Sequence, residues 1–304
     1  MDGIISVYKE SGFTSHDVVA KLRGILHTKK IGHTGTLDPM AEGVLPVCIG
    51  SATKLCEMYS DHDKVYDACM ILGKTYDTLD ITGVIQEERE VMSTEKDIRD
   101  VISKFVGGYD QTPPMYSAKK IGGKKLYDLA RRGEKIERKP VFVNIYDIEV
   151  LEVNIPHVSI RVHCGKGTYI RSLIDDIGAC LGCGAAMEAL VRTRVGDFTA
   201  EDSYRLSDIE KAVADNKISN VITTPEAVFS HLKSFYANKD ISRLVRNGNI
   251  LKGKDLRTHA ADLMDGIAEG SGIKVYDCDG KFIGVYEYKI SSDIFKPYKL
   301  FWTD

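Results

Sequence analysis

The chain has 304 residues, a formal net charge of −3, and a composition that is 43% hydrophobic and 28% charged. This length can bury a full core, and one large domain with one small domain is the simplest division. No apolar run approaches the roughly 20 residues that span a bilayer, and the N-terminus lacks the features of a signal peptide. The seven cysteines are odd in number and lie among apolar neighbours, which favours reduced thiols and a cytoplasmic protein.

The first part of the chain contains a strand, a helix and a second strand. Residues 3–8 are typical of a first strand, and Thr14 or Ser15 is a suitable N-cap for a helix with apolar residues at helical spacing. Residues 64–72 are apolar at most positions. We therefore expect a central strand here, with both faces buried.

A strand followed by a helix is predicted in the middle of the chain. Residues 158–164 alternate between apolar and polar side chains, as in a half-buried strand. The run 169–181 has helical spacing and is followed by Gly182, a frequent helix stop. Ser207 and Glu210 have the spacing of a capping box for one more helix.

The last part of the chain has a different character. Two short apolar runs at 272–276 and 282–288 flank the turn 277–280, which is a strong hairpin signal. We predict one domain over residues 1–233 and a small β-rich domain over 234–304. Because strands and helices alternate without regular βαβ spacing, the fold class is predicted as α+β.

The loop 32–46 is the most informative segment. Three glycines and two prolines indicate a shaped, irregular backbone, and Asp38 lies in its middle, before a proline. The segment has neither P-loop nor GxGxxG order and no metal-ligand spacing. Asp38 is therefore either a turn carboxylate that bonds local N–H groups or the chemical group of a site.

Two further segments could serve Asp38 and an anionic partner. In 166–171, Tyr169 and Arg171 stand at a predicted helix start, where a cation is unfavourable unless an acidic group is near, so Arg171 could pair with Asp38. Segment 119–139 holds nine basic and three acidic residues. It is either a solvated helix face or an element that binds a polyanion.

Possible metal sites are poorly supported by the sequence. Cys180 and Cys183 form a single CxxC pair without a second pair or a histidine at zinc spacing. Residues 61–63, Asp-His-Asp, lack further ligands and are typical of a solvated loop. Asp175 and Asp176 are interpreted as structural residues of a helix.

Four separated motifs occur in the order seen in one family. They are residues 32–46, 64–66, 113–118 and 166–171. On these motifs the chain resembles the bacterial TruB family of tRNA pseudouridine(55) synthases, from residue 3 to about residue 190 and more weakly beyond. One departure is that the Lys-Pro-x-Gly of many members reads Lys-Glu-Ser-Gly at 9–12, which loses a rigid turn.

The resemblance implies a pseudouridine synthase fold: a central mixed, mainly antiparallel sheet flanked by helices, with a PUA-like RNA-binding domain at 234–304. It implies roles for a set of residues. Asp38, Arg171 and Tyr66 would be catalytic, and His33, Tyr169, Leu190, Lys166, Lys119, Lys120, Arg131 and Arg132 would bind substrate. Within this set, Asp38 matches the catalytic aspartate and Arg171 its partner. Tyr66 would stack on the base, and His33 would fill the space left by the flipped nucleotide.

The implied reaction converts uridine to pseudouridine in the T loop of tRNA, with no metal or organic cofactor, by a cytoplasmic monomer. It breaks the N1–C1′ bond, rotates the uracil and joins C5 to C1′. Asp38 could attack C1′, attack C6 or generate a glycal, and Tyr66 is a candidate for the base that removes the C5 proton. The alternatives are a catalytically silent RNA-binding protein, a nucleoside hydrolase and a synthase acting on another RNA.

Overall fold

The computed structural model describes residues 1–117, 119–134, 136–260 and 263–302, without the side chains at positions 120, 121, 125, 131 and 259. Within these ranges, no helix has the length and apolar character needed to cross a membrane. The chain forms one large and one smaller β-sheet, with helices packed on them.

The large sheet has eight strands, and its pairing is antiparallel except between the third and thirteenth strands, which run parallel. The continuous order is β1-β3-β13-β4-β12-β11, with β2 on β3 and β14 on β13. These strands are β1 (Gly3–Lys9), β2 (Ile31–His33), β3 (Glu42–Ile49), β4 (Lys64–Leu72), β11 (Ile145–Asn154), β12 (His157–Cys164), β13 (Ala185–Val195) and β14 (Phe198–Thr199). The predicted mixed, mainly antiparallel sheet in an α+β fold is confirmed.

Three two-stranded sheets lie between the strands of the large sheet in the chain order. They pair β5 (Lys74–Tyr76) with β6 (Ile85–Glu88), β7 (Tyr109–Gln111) with β10 (Val141–Val143), and β8 (Lys120–Ile121) with β9 (Lys124–Lys125). The pair β8–β9 lies inside the basic segment 119–139, which therefore begins as a small hairpin before its helix.

Helices pack on the sheets. Their bounds are α1 (Ser15–Ile25), α2 (Cys56–Asp61), α3 (Glu95–Ser103), α4 (Leu126–Arg131), α5 (Ile170–Leu181), α6 (Leu206–Ala214), α7 (Pro225–Val228), α8 (Lys239–Arg246) and α9 (Gly253–His259). Short 3-10 turns occupy Gly50–Leu55, Ile218–Asn220 and Ile290–Ser292.

Local signals set the ends of the two helices that border the site. Thr14 caps α1 by accepting the N–H of Asp17, whose carboxylate in turn accepts the N–H of Thr14. Tyr169 is the N-cap of α5, and Gly182 ends that helix with a φ of 80°, a conformation that glycine adopts without strain. Both helix predictions are confirmed.

Two local predictions are wrong. Helix α6 is not capped by Ser207 and Glu210, because its N-cap is Arg205, whose N–H donates to the Asp208 carboxylate at 3.0 Å. Strand β4 is central, as predicted, but only one of its faces is fully buried. Every second residue, including Asp67 and Cys69, is half-buried on the other face.

The smaller sheet has the order β15-β17-β18-β19-β16 and is built from residues after 233. Its strands are β15 (Ser234–Tyr236), β16 (Leu251–Lys252), β17 (Gly272–Tyr276), β18 (Phe282–Lys289) and β19 (Ile294–Leu300). The predicted hairpin joins β17 and β18, and the buried carboxylate of Asp277 accepts the N–H groups of Asp279 and Lys281 at its turn. This part of the chain has its own core around Phe235, Tyr286 and Phe295.

Candidate active site

The Asp38 loop is anchored to the start of helix α1. The N–H of Leu37 donates to the buried hydroxyl of Ser15 at 2.9 Å, and the N–H of Gly12 donates to the Pro39 carbonyl at 2.9 Å. Beyond the loop, Gly43 has a φ of 103°, and a Cβ there would lie 2.2 Å from the Arg192 carbonyl. A side chain at residue 43 would therefore push β3 away from β13. Glycine at this position allows the two strands to pair, and their pairing fixes the far end of the loop.

Asp38 and Arg171 form a two-point ion pair. Arg171 Nε lies 2.9 Å from Asp38 Oδ2, and Nη2 lies 3.0 Å from Oδ1. Arg171 is only 6% exposed, whereas the Asp38 side chain is one-third exposed. Because the guanidinium holds the carboxylate at two points, the orientation of the carboxylate is fixed. The side of the carboxylate away from Arg171 faces the cavity. The pairing expected from the sequence is present.

Arg171 also contacts groups from two other segments, residues 78–80 and residue 116. It donates to the carbonyls of Thr78 and Tyr116 at 2.9 and 2.8 Å, and its Nη1 lies 3.6 Å from Asp80 Oδ2. Burial raises the pKa of Asp38 and the charge of Asp80 adds to this, while the Arg171 cation opposes both. Asp80 was missed in the sequence, because it lies in a short loop with no motif of its own.

The cavity beside Asp38 measures about 390 Å³ and contains most of the predicted site residues in its wall. Tyr66, Tyr169 and Leu190 line it together with Asp38 and Arg171. Tyr66 is 8% exposed, and burial raises the pKa of its hydroxyl and that of Tyr169. The wall therefore offers aromatic and apolar surface next to one oriented carboxylate, which suits a planar base bound by stacking.

Gln111 ties strand β7 to the start of helix α5. Its Oε1 accepts the N–H of Tyr169 at 2.8 Å, and its Nε2 donates to the Tyr169 carbonyl at 3.1 Å and to the Tyr109 hydroxyl at 2.7 Å. Gln111 is 1% exposed. It fixes the backbone two residues before Arg171, and no sequence motif pointed to it.

Two basic residues of the wall were also missed as site residues. Lys64 and Arg192 line the cavity and are 7% and 1% exposed. Lys64 was quoted in a motif but given no role, and Arg192 was not singled out. A signal for Arg192 would have been its position two residues after Leu190, on the same face of a strand.

His33 lies on β2 next to the cavity loop, but it is not among the described residues that line the cavity. Its ring makes an edge contact with His16 at 5.6 Å between centroids. Burial lowers the pKa of His33 to about 4, so its imidazole is neutral near pH 7. Its Nδ1 has no hydrogen-bond partner among the described residues.

The basic residues predicted to bind substrate lie in different settings. Lys119 lines the cavity. Lys166 lies between the lining residues Gly165 and Gly167 and is exposed, with its Nζ 2.9 Å from Asp61 Oδ1. Arg132 is exposed after helix α4. The side chains of Lys120 and Arg131 lie outside the described residues.

Metal-ligand types do not gather at the Asp38 cavity in the part of the chain that the structure describes. Among the described residues, the one set with metal-ligand spacing is Cys69, His157 and Glu188. It lies away from the cavity, on the half-buried face of the sheet. Of the sequence candidates, Cys180 is exposed and Cys183 buried, and Asp63 is held by Arg194 and His163.

Comparison with known proteins identifies the class of enzyme to which this chain belongs. A chain in a solved H/ACA RNP bound to a substrate RNA containing 2′-deoxyuridine has a TM-score of 0.69 and 26% identity, covering 99% of this chain and 85% of that one. Residues 23–170 match a TruB family pseudouridylate synthase N-terminal domain, and residues 171–230 match a tRNA pseudouridylate synthase B C-terminal domain. The chain is therefore a pseudouridine synthase, an isomerase.

Its relatives agree over the whole length. tRNA pseudouridine synthase B of Lachnoclostridium phytofermentans is 47% identical, covering 99% of this chain and all of that protein. The protein of the same name from Bacillus pumilus is 38% identical, covering 100% of this chain and 99% of that protein. The chain belongs to the TruB family, which confirms the resemblance drawn from its motifs.

Proposed function

We propose that this enzyme converts a uridine in the T loop of tRNA, at position 55, to pseudouridine. The observation that carries the proposal is the Asp38–Arg171 pair in a cavity walled by Tyr66 and Leu190. The relatives named tRNA pseudouridine synthase B support tRNA as the substrate. Because tRNA is cytoplasmic in bacteria, we place the reaction there.

Asp38 is the group that starts the reaction in this proposal. It acts at C1′, acts at C6, or removes a proton to give a glycal, while Arg171 keeps it ionised and oriented. Tyr66 stacks on the freed uracil and is the candidate acceptor of the C5 proton. Tyr169 and Leu190 hold the ring between them. None of these steps requires a redox or group-transfer cofactor, because the atoms of the product equal those of the substrate.

The target base must leave the loop of the RNA before it can enter the cavity. Unstacking a base costs a few kcal/mol, which contacts to the RNA backbone can offset. We assign these contacts to Lys166, to Lys119 and to the rest of the basic segment 119–139, including Lys120, Arg131 and Arg132. His33, neutral and beside the Asp38 loop, is proposed to fill the space of the flipped nucleotide. Residues 234–304 are proposed as a PUA-like RNA-binding domain, and the protein as a monomer.

The test is conversion of an unmodified tRNA transcript by the purified protein. Tritium release from C5-labelled uridine measures turnover. Mass mapping after carbodiimide labelling, which marks pseudouridine but leaves uridine unmarked after alkaline treatment, identifies the converted position. Pseudouridine at position 55 is the expected result. Tight tRNA binding without tritium release would instead fit a catalytically silent RNA-binding protein, and release of free uracil would fit a nucleoside hydrolase. Conversion at another uridine or in another RNA would overturn the proposed position.

A hydrolase is the less favoured alternative on structural grounds. Such enzymes ordinarily use a second carboxylate that faces the bond being broken. Asp80, the carboxylate that shares Arg171 with Asp38, is 5% exposed and does not line the cavity in the described part of the chain. Its carboxylate accepts from the Thr78 hydroxyl and the Thr82 N–H instead.

A further inference from the structure

Part of the cavity wall carries two buried cations that the proposed mechanism does not use. Arg192 on β13 and Lys64 on β4 both line the cavity, at 1% and 7% exposure. Arg192 is the direct register partner of Tyr66 across the two strands, and Lys64 lies two residues from Tyr66 on the same face. The two cations therefore flank the aromatic ring that is proposed to stack on the uracil.

Both cations are held by carbonyl oxygens. Arg192 Nε donates to the Val44 carbonyl at 2.7 Å and Nη2 to the Gly35 carbonyl at 3.2 Å. Lys64 Nζ donates to the carbonyls of Ser60 and His62 at 2.6 and 2.5 Å. Neither forms an ion pair with a carboxylate of the described residues. These contacts fix the positions of both groups without neutralising their charge.

Two other arginines, one in the cavity wall and one outside it, show the contrast. Arg171 is balanced by Asp38 and Asp80, and Arg194, two residues after Arg192 on β13, is balanced by Asp63 at 2.8 Å. Burial and, after it, the nearby charge of Arg192 lower the pKa of Lys64 to about 8. Two uncompensated cations that repel each other in a buried wall create a field that an anion in the cavity would relieve.

The reaction supplies a matching charge, and this step rests on the proposed function. When N1–C1′ breaks, its electron pair stays on the uracil and spreads over N1, O2 and O4. At the same time C1′ bonds to the Asp38 carboxylate, or C2′ loses a proton to it. Attack of Asp38 at C6 likewise leaves negative charge on the carbonyl oxygen O4. The charge leaves the base when C5 bonds to C1′, as the C1′–Asp38 bond breaks, as C2′ of the glycal regains its proton from Asp38, or as the C6–Asp38 bond breaks; the C5 proton is then lost and N1 gains a proton. All three routes place negative charge on the base.

We propose that Lys64 and Arg192 form an anion-stabilising wall for the uracil ring, in which fixed cations meet the charge that develops on the base. Groups fixed before the reaction need not reorient as charge develops, and removing one such group typically lowers the rate by about 100-fold or more. The two cations therefore lower the barrier of the chemical step. They add little to substrate affinity, because the bound uridine is neutral.

The test is a comparison of two substrates in single turnovers with saturating enzyme. Wild type, Arg192→Gln and Arg192→Lys convert tRNA with uridine or 5-fluorouridine at the target. Loss of the N-glycoside is followed by chromatography and mass spectrometry of the digested RNA, which separates the isomeric nucleosides. Fluorine stabilises the uracil anion. Arg192→Gln is therefore expected to lose about 100-fold with uridine and less than about 10-fold with 5-fluorouridine. Arg192→Lys should recover part of the rate, and tRNA affinity should stay within about threefold in both variants.

The matched control is Arg194→Gln, which removes a positive charge from the same strand but from an ion pair outside the cavity; it should leave both rates unchanged. An equal loss of rate with both substrates would mean that Arg192 only holds the Gly35 and Val44 backbone, and would overturn the proposal. If Arg192→Gln does not fold, Lys64→Gln carries the same comparison, with the same outcomes. Inactive wild type would refute the proposed function, whereas active wild type with insensitive variants would refute only this inference.

Discussion

Arg171 forms an ion pair with Asp38 through two nitrogen–oxygen contacts of 2.9 and 3.0 Å, although the two residues lie 133 positions apart in the chain. The same guanidinium reaches Asp80 at 3.6 Å. One cation thus sits between two carboxylates, of which only Asp38 faces the cavity. This arrangement orients the carboxylate that the proposed reaction needs and leaves the other as a buried support.

Replacing Asp38 by Asn is expected to abolish pseudouridine formation. The amide keeps the shape and one hydrogen bond to Arg171 but cannot act as a nucleophile or base. The tRNA dissociation constant should stay within several-fold, measured by filter binding alongside tritium release. Asp110→Asn, at an exposed residue of strand β7, is the matched control and should retain turnover. Substantial turnover by Asp38→Asn would refute the proposed role.

Arg171→Ala should lower turnover more than tRNA binding and should destabilise the fold. Removal of the guanidinium leaves the Asp80 carboxylate buried without its cation, and breaking such a pair costs about 3–5 kcal/mol. Chemical denaturation measures this loss. Adding Asp80→Asn to Arg171→Ala should restore part of the stability but none of the rate. Simple addition of the two single effects would show that the pair is not coupled.

Gln111→Leu tests whether the contact from β7 to helix α5 positions the Asp38–Arg171 pair. The variant leaves the N–H and carbonyl of Tyr169 without their side-chain partner, and we expect a loss of about 2–3 kcal/mol in stability. Turnover should fall at unchanged tRNA affinity, because Arg171 follows on the same helix. Gln111→Glu restores an acceptor for the Tyr169 N–H but no donor, so it should recover only part of the rate. A stability loss with unchanged turnover would contradict the positioning role.

Asp175 gives a pH dependence of stability. Burial, together with the neighbouring charge of Asp176, raises the pKa of Asp175 to about 6. The folded protein therefore keeps this proton between about pH 4 and 6, where the unfolded chain loses it, and its stability falls as pH rises through that window. Asp175→Asn should be more stable than wild type by about 1–2 kcal/mol at pH 7–8 and no more stable at pH 4. Melting curves across pH measure the difference, and a gain that is equal at all pH values would contradict the assignment.

The basic segment is tested by charge reversal at Lys119 and Arg132. If these side chains contact RNA phosphates, the double variant Lys119→Glu, Arg132→Glu should bind tRNA more weakly. The slope of the logarithm of affinity against that of salt concentration should then be shallower by about one to two. Lys96→Glu is the control, since Lys96 is exposed on helix α3 and pairs with Asp100. An unchanged slope would remove the segment from the interface.

Much of the architecture could be predicted from the sequence, because its signals act locally. Thr14 fixes the start of α1, Gly182 stops α5, and the turn at 277–280 makes the β17–β18 hairpin. Each depends on the conformation of a few adjacent residues. The N-cap predicted for α6, Ser207, lies two residues after the observed N-cap, Arg205. Asp208 and Glu210 both offer a carboxylate, and only the path of the backbone decides which of them accepts the N–H of the N-cap residue.

The Asp38 loop, the helix that starts beside Arg171 and the resemblance to the family all follow from local sequence signals. The set of residues that face the cavity depends instead on how distant strands pack. Arg192 and Arg194 lie two apart, so strand periodicity places both on one face, yet an irregularity between them pairs Arg192 with Tyr66 and Arg194 with Val65. Arg192 therefore enters the cavity while Arg194 meets Asp63 on the other face. The register between distant strands depends on residues far apart in the chain and has no local sequence signal. The irregularity in the pairing of β13 with β4 is therefore visible only in the packed sheet.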